Sequence, residues 1–223
     1  MSDSSALPAP GETASLLIPG PAGEIEALLA APRHPRATSA FAVVCHPHPL
    51  FGGAMGNKVA YTLAACAQKA GLHALRFNFR GVGRSAGVHD QGRGETDDVL
   101  FLVEWMRQRL PGAQLALAGF SFGAFVSLRA AERVAPAAQV SVAPPFGKYL
   151  GDLGTPARPP CPWLVVHGDA DDVVPYEETL AVLQGFQPAP QLATVQGAGH
   201  FFHGQLGELS EAVTPFLESA LGG

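Results

Sequence analysis

Short apolar runs alternate along the chain with longer stretches in which apolar residues recur every three or four positions. Ser15–Ile18 and Glu24–Ala30 flank Pro19-Gly20-Pro21-Ala22-Gly23, a turn signal between two β-prone runs that predicts a hairpin. Phe41–Cys45 is a continuous apolar run of the kind buried on both faces of a parallel sheet. Val59, Leu63, Cys66 and Ala70 follow at helical spacing until Gly71, and Ala74–Phe79 predicts the next strand. Glu95–Leu110 is the clearest helix. Glu95, Asp97 and Asp98 give it an acidic first turn, Val99, Leu102, Val103, Met106 and Leu110 share a face, and Pro111-Gly112 stops it. Leu115–Ala118 predicts a strand and Phe122–Val134 a helix of small and apolar residues. Val140–Ala143 and Trp163–Val166 predict two more strands, joined by a Pro/Gly-rich connection. Tyr176–Leu183 predicts a helix, Leu192–Val195 a last strand and Leu206–Leu221 a final amphipathic helix, with Pro215 as a kink or the start of its second half. Strands alternating with helices of this length make βαβ units, so the fold class is α/β: a mostly parallel sheet with helices on both faces. Residues 1–14 read as a flexible N-terminal tail and 15–223 as a single domain.

Composition narrows the function classes. Glycine (26) and proline (20) make up about a fifth of the 223 residues, a surplus that approaches low-complexity disorder. Disorder fails on the 47% hydrophobic content and the modest net charge of −5. An acidic chain is a poor nucleic-acid binder, and no apolar run is long enough to cross a membrane. The N-terminus lacks the basic region and apolar stretch of a secretory signal, so a cytoplasmic location is expected. Cys45, Cys66 and Cys161 form neither a disulfide framework nor a zinc pattern.

In parallel sheets chemistry sits beyond the carboxyl ends of the strands. Four predicted strand ends carry polar residues among glycines and prolines: His46-Pro47-His48-Pro49 with Gly52-Gly53, Gly119-Phe120-Ser121-Phe122-Gly123, His167-Gly168-Asp169-Ala170-Asp171-Asp172, and Gly197-Ala198-Gly199-His200. G-x-S-x-G between a strand and a helix is a nucleophile elbow, in which a strained turn projects the serine oxygen at a helix N-terminus. A serine hydroxyl needs a base, and the base an orienting acid. The chain order offers Ser121, then Asp171, with Asp172 in reserve and Asp169 behind it, then His200, with His203 as its rival. A tetrahedral intermediate also needs two backbone N–H donors. Phe122 supplies one. In the His46 loop Pro47 and Pro49 have no N–H, which leaves His48 and, secondarily, Leu50.

Other patterns in the chain compete with these. A metal pair at His46 and His48, with His200, lacks a carboxylate or cysteine at ligand spacing, so no metal or cofactor is expected. Gly81, Gly83 and Gly87 imitate a dinucleotide fingerprint, but the third glycine is one residue late and no helix opens there. A tight loop bordering the pocket is the better reading, with Arg80 and Arg84 in structural salt links. Among Phe51, Phe120, Phe122, Phe146, Phe201 and Phe202, some are expected to line an acyl pocket and others the core.

HPHPLFGG with Asn57-Lys58, RFNFRGVGRSAG, GFSFGA and HGDADDVVP together resemble the α/β-hydrolase superfamily, in particular a group of small, lidless, carboxylesterase-like bacterial serine hydrolases. The resemblance runs from about Ser15 to the C-terminus. It implies an eight-stranded sheet with an antiparallel second strand, and a triad at Ser121, Asp171 and His200. His46-Pro47 departs from the His-Gly of many relatives at the second oxyanion donor. A lid in this superfamily enters after the sixth strand, where only Pro144–Pro162 is available, too short for a helical cap. The expected activity is hydrolysis of small or medium soluble esters through an acyl-enzyme on Ser121, without interfacial activation. The alternatives are a thioesterase or prolyl-oligopeptidase-like peptidase with the same triad, and, in another class, a non-catalytic binding protein on a hydrolase fold.

Overall fold

The computed structural model describes residues 7–149 and 153–222. Residues 1–6 of the expected tail lie outside the described residues, and Thr13 and Ala14, also assigned to it, pair with Ala30 and Leu29 in the first strand. The elements are β1 (Thr13–Gly20), β2 (Gly23–Ala30), β3 (Ala40–Cys45), a 3₁₀ turn (Pro49–Phe51), α1 (Lys58–Lys69), β4 (His73–Phe77), α2 (Arg93–Arg109), β5 (Gln114–Phe120), α3 (Phe122–Val134), β6 (Ala138–Val142), α4 (Phe146–Tyr149), β7 (Trp163–Gly168), α5 (Tyr176–Leu183), β8 (Gln191–Val195) and α6 (Leu206–Ala220). They build one eight-stranded sheet in the order β1-β2-β4-β3-β5-β6-β7-β8. β2 runs antiparallel to both β1 and β4, and every pairing from β4 through β3 to β8 is parallel.

Strand periodicity sorts the core into two layers. Ala40, Ala42 and Val44 of β3 face Val59 and Leu63 of α1 and Leu209 and Val213 of α6. Their neighbours Phe41, Val43 and Cys45 face the other way, onto Val99, Leu102 and Met106 of α2 and Phe122 and Val126 of α3. A third cluster joins Leu128, Phe146, Trp163, Val165 and Leu183 beneath α4 and α5.

Most departures from the expected boundaries have local causes. The hairpin turn is tighter than expected, because Gly20 pairs with Gly23 and leaves only Pro21 and Ala22 between the strands. α2 starts at Arg93, two residues early. The Glu95 carboxylate, fully buried, accepts the N–H groups of Asp90 and Gly92 at 2.9 and 2.8 Å and so fastens the preceding turn. Asp98 is also buried and takes two hydrogen bonds from the Arg80 guanidinium, at 3.0 and 2.8 Å, a structural salt link. The Gly81–Gly87 loop does not border the cavity described below. It lies on the β1–β2 hairpin, where Arg84 N–H and Asn78 Nδ2 both donate to Glu26 Oε2. α6 continues through Pro215 as one 15-residue helix.

His46 ties two strand ends together. Its Nε2 accepts the Phe79 N–H at 3.0 Å, and its Nδ1–H donates to the Pro47 carbonyl at 2.6 Å. Both ring nitrogens are thereby occupied, which removes the metal-pair reading of His46 with His48. Burial pushes the imidazole from the ordinary 6.5 down to about 4, against the opposing bond to Pro47. The unfolded chain therefore takes up this proton at a higher pH than the folded one. His46 stabilises the fold fully above pH 6.5 and withdraws that stability as pH falls through about 4. The expected loss is roughly 3 kcal/mol in urea unfolding. His46→Gln should flatten the pH dependence over that window, and an unchanged slope would refute the assignment.

Candidate active site

The site forms where four parallel strands end on the same edge of the sheet. β5 stops at Phe120, α3 begins at Phe122, and Ser121 alone makes the turn, at φ 53° and ψ −123°. A non-glycine residue there is strained by about 1–3 kcal/mol, held by its surroundings. The Ser121 N–H donates to Val142 O of β6 at 2.8 Å, and the Ser121 carbonyl accepts from the amides of Ala124 and Phe125. The flanking glycines are steric necessities. A Cβ at Gly119 would lie 2.2 Å from the Gly123 carbonyl oxygen, and one at Gly123 would lie 2.4 Å from those of Cys45 and His46.

His200, on the loop after β8, places Nε2 3.0 Å from Ser121 Oγ and Nδ1 2.8 Å from Asp171 Oδ2. Asp171 lies on the loop after β7, and its Oδ1 accepts the amides of Val173 and Val174 at 2.9 and 2.8 Å. The two loops pack so closely that a Cβ at Gly168 would sit 2.1 Å from the Ala198 carbonyl oxygen. Burial pushes the Asp171 carboxyl up, but hydrogen bonds from His167, His200 and Val174 outweigh it and hold the group well below the ordinary 3.8. It is a carboxylate at any physiological pH.

The competing candidates fall elsewhere. Asp169 accepts the Gly197 N–H at 2.6 Å and stitches the β7 loop to the β8 loop. Asp172 is exposed, and so is His203, which packs its ring against Phe201. The structure therefore brings together Ser121, His200 and Asp171, each less than a tenth exposed. With Nδ1 hydrogen-bonded to a carboxylate, the imidazole is oriented to take a proton from the serine.

Ser121 and His200 open into a cavity of 360 Å³, within the range of small-molecule sites. Its other lining residues include Pro47, His48, Phe51, Pro145, Val174 and Phe201. Of the candidate phenylalanines, Phe51 and Phe201 line this cavity and are exposed at 85% and 46%, while Phe120, Phe122, Phe146 and Phe202 are core. The His46 loop reaches the cavity through His48. The Leu50 N–H is already donated to His48 Nδ1 at 3.2 Å, and the amides of Phe51 and Gly53 go to the His48 carbonyl. The Leu50 amide is thus engaged within its own loop. Phe122 occupies the first position of α3, directly after Ser121.

Three features of the site have no role assigned by the sequence pattern. Pro145 and Lys148 line the cavity because the connection after β6 makes the four-residue helix α4, and Lys148 Nζ donates to Val173 O at 2.6 Å across the mouth. Asn57 lines it while also capping α1 through Oδ1. His167 lies behind Asp171. The strand-end HG dipeptide was the one available signal for it. Among the described residues, no group of three or more histidine, cysteine or acidic side chains is placed to hold a metal ion.

The family described as alpha/beta hydrolase fold matches residues 43–144. The structure of a lidless α/β serine hydrolase from Xanthomonas campestris is 39% identical, covers 98% of this chain and 99% of its own, and superposes with a TM-score of 0.90. An α-β serine hydrolase homologue from Coxiella burnetii is likewise 39% identical, over 94% of this chain and 99% of that one, with a TM-score of 0.86. An uncharacterized protein of Rickettsia prowazekii is 34% identical over 208 residues, 89% of this chain and 86% of its own.

The strain at Ser121 can be measured apart from its chemistry. Ser121→Gly and Ser121→Ala lose the same hydroxyl, but only glycine relaxes at φ 53°. Ser121→Gly should be the more stable of the two by about 1–2 kcal/mol in urea unfolding, the reverse of the usual order. An alanine variant as stable as the glycine one would show that the turn is unstrained.

Proposed function

We propose that this chain, which belongs to the α/β-hydrolase superfamily, hydrolyses small or medium carboxylic esters through an acyl-enzyme on Ser121. One observation carries the reading: the continuous hydrogen-bonded line from Ser121 Oγ through His200 to Asp171, at 3.0 and 2.8 Å, opening on an apolar cavity. Ser121 Oγ attacks the ester carbonyl carbon while His200 Nε2 takes its proton. Asp171 holds the imidazole and balances the imidazolium charge. The oxyanion is received by the amides of Phe122 and His48. Collapse of the tetrahedral intermediate expels the alcohol, which takes the proton from His200. Water then attacks the acyl-enzyme with His200 again as base, and the carboxylic acid leaves with Ser121 restored.

The chain's own elements set the substrate range. Among the described residues of the short connection after β6, Pro145 and Lys148 line the cavity, which is consistent with entry without lid opening. The cavity volume suits acyl groups of modest size over long triglycerides. Among the described residues no helix is long and apolar enough to cross a membrane. The free thiols of Cys45, Cys66 and Cys161 suit a reducing compartment such as the cytoplasm.

Turnover of short p-nitrophenyl esters tests the reading. Ser121→Ala and His200→Ala should each lower kcat/KM by about a thousandfold or more in a folded protein. The wild-type rate should show no jump as substrate passes its solubility limit. Substantial activity in Ser121→Ala would overturn the assignment. Matched thioesters and amides in the same assay identify a thioesterase or peptidase, and a fluorophosphonate that fails to label Ser121 indicates a binding protein.

A further inference from the structure

The Asp171 carboxylate is surrounded by donors, and one of them has no place in the reaction just described. His167, at the end of β7 and fully buried, directs Nε2 between two oxygens: Val174 O at 2.9 Å and Asp171 Oδ2 at 3.3 Å. Both are acceptors, so Nε2 carries the proton; its N–H bonds Val174 O and stands 3.3 Å from Asp171 Oδ2. Nδ1 is buried without a hydrogen-bond partner. Asp171 Oδ2 is the oxygen that also accepts from His200 Nδ1, while Oδ1 is satisfied by two amides.

We propose that His167 is a positioning residue for the proposed Ser121–His200–Asp171 relay: its Nε2–H draws on the same carboxylate oxygen as His200 and limits how strongly that oxygen attracts the His200 proton. The inference rests on the serine-hydrolase reading of the site. A residue that served only the fold would need the bond to Val174 alone. The second contact couples it to the relay. With the His167 donor removed, more of the negative charge on Oδ2 is available to His200, which favours the imidazolium. The catalytic base then stays protonated to higher pH.

Other titratable groups bordering this cluster are Tyr176, whose ring meets that of His167 edge-on at 5.7 Å, and Lys148, bonded to Val173 O. His48 lies across the cavity, Asp169 and Asp172 belong to the same loop as Asp171, and His203 follows His200. All of them stay unchanged in the variants below.

The test is the pH profile of kcat/KM for a short p-nitrophenyl ester in His167→Phe and His167→Gln. Phenylalanine fills the space without a donor, and the glutamine amide restores an N–H near the Nε2 position. The acid limb should move to higher pH by about half a unit or more in His167→Phe and return to the wild-type position in His167→Gln. A wild-type limb in folded His167→Phe, or a shift that glutamine does not reverse, overturns the proposal. If His167→Phe does not fold, His167→Asn, too short to reach Asp171, takes its place against His167→Gln under the same criteria. If the wild type turns over no ester, the ester reading fails. The pH dependence of Ser121 labelling by a fluorophosphonate then decides the role of His167, and a wild type that is also unlabelled overturns both.

Discussion

The whole site depends on one steric constraint, the contact between the first turn of α3 and the end of β3. Gly123 has carbonyl oxygens of Cys45 and His46 where a Cβ would stand, and Gly119 is closed in the same way by Gly123. Such a crossing lets β5 turn directly into α3, and the turn leaves one residue, Ser121, outside the ordinary backbone regions. The strain is affordable because β5 is central, hydrogen-bonded to β3 on one side and β6 on the other. The same approach sets the spacing between Ser121 and the His46 loop, since the loop departs from the strand end on which Gly123 rests.

Burial and hydrogen bonding pull in opposite directions on the polar groups around this crossing, and the winner differs from group to group. At His46 burial wins, so the ring stays neutral and works as a bridge between strand ends. At Asp171 the donors win, because two amides and two imidazoles converge on one carboxylate. Asp98 is the intermediate case. Burial raises it more than the Arg80 hydrogen bonds lower it, so a bidentate partner only partly offsets the loss of water.

This balance explains what could be read from the sequence. Ser121 was legible because a turn this tight needs glycine at both flanks, and that requirement is written as a five-residue pattern. The sheet was legible from Phe41–Cys45 and its companions, because period-two burial on both faces leaves no other arrangement for such runs. Asp171 could only be ranked above Asp169 and Asp172. What separates them is which side chain reaches the Val173 and Val174 amides and which reaches Gly197, a matter of loop geometry. Glu95 resembled a dipole-favoured residue and is instead a buried anchor for the turn before α2. The Gly81–Gly87 loop was misplaced because its partner, Glu26, is distant in sequence and comes from the opposite side of the hairpin.

The missing lid has a physical consequence for these buried charges. A cap would exclude water from the relay. Here its own loops must do so, and they leave the Asp171 and His200 side chains 0% and 4% exposed. The segment after β6 contributes to this with very little chain. Lys148 from α4 holds the Val173 carbonyl, and the N–H of that same residue holds Asp171 Oδ1. His167 does the same at the next residue, bonding the Val174 carbonyl while the Val174 N–H holds Asp171. Two successive residues are thus fixed on both their donor and acceptor sides, so the acid keeps its place by a clamped loop in a molecule with an open mouth. The glycines and prolines that first suggested disorder belong to the same solution: they supply the close turns that let loops, with no added domain, keep a carboxylate dry.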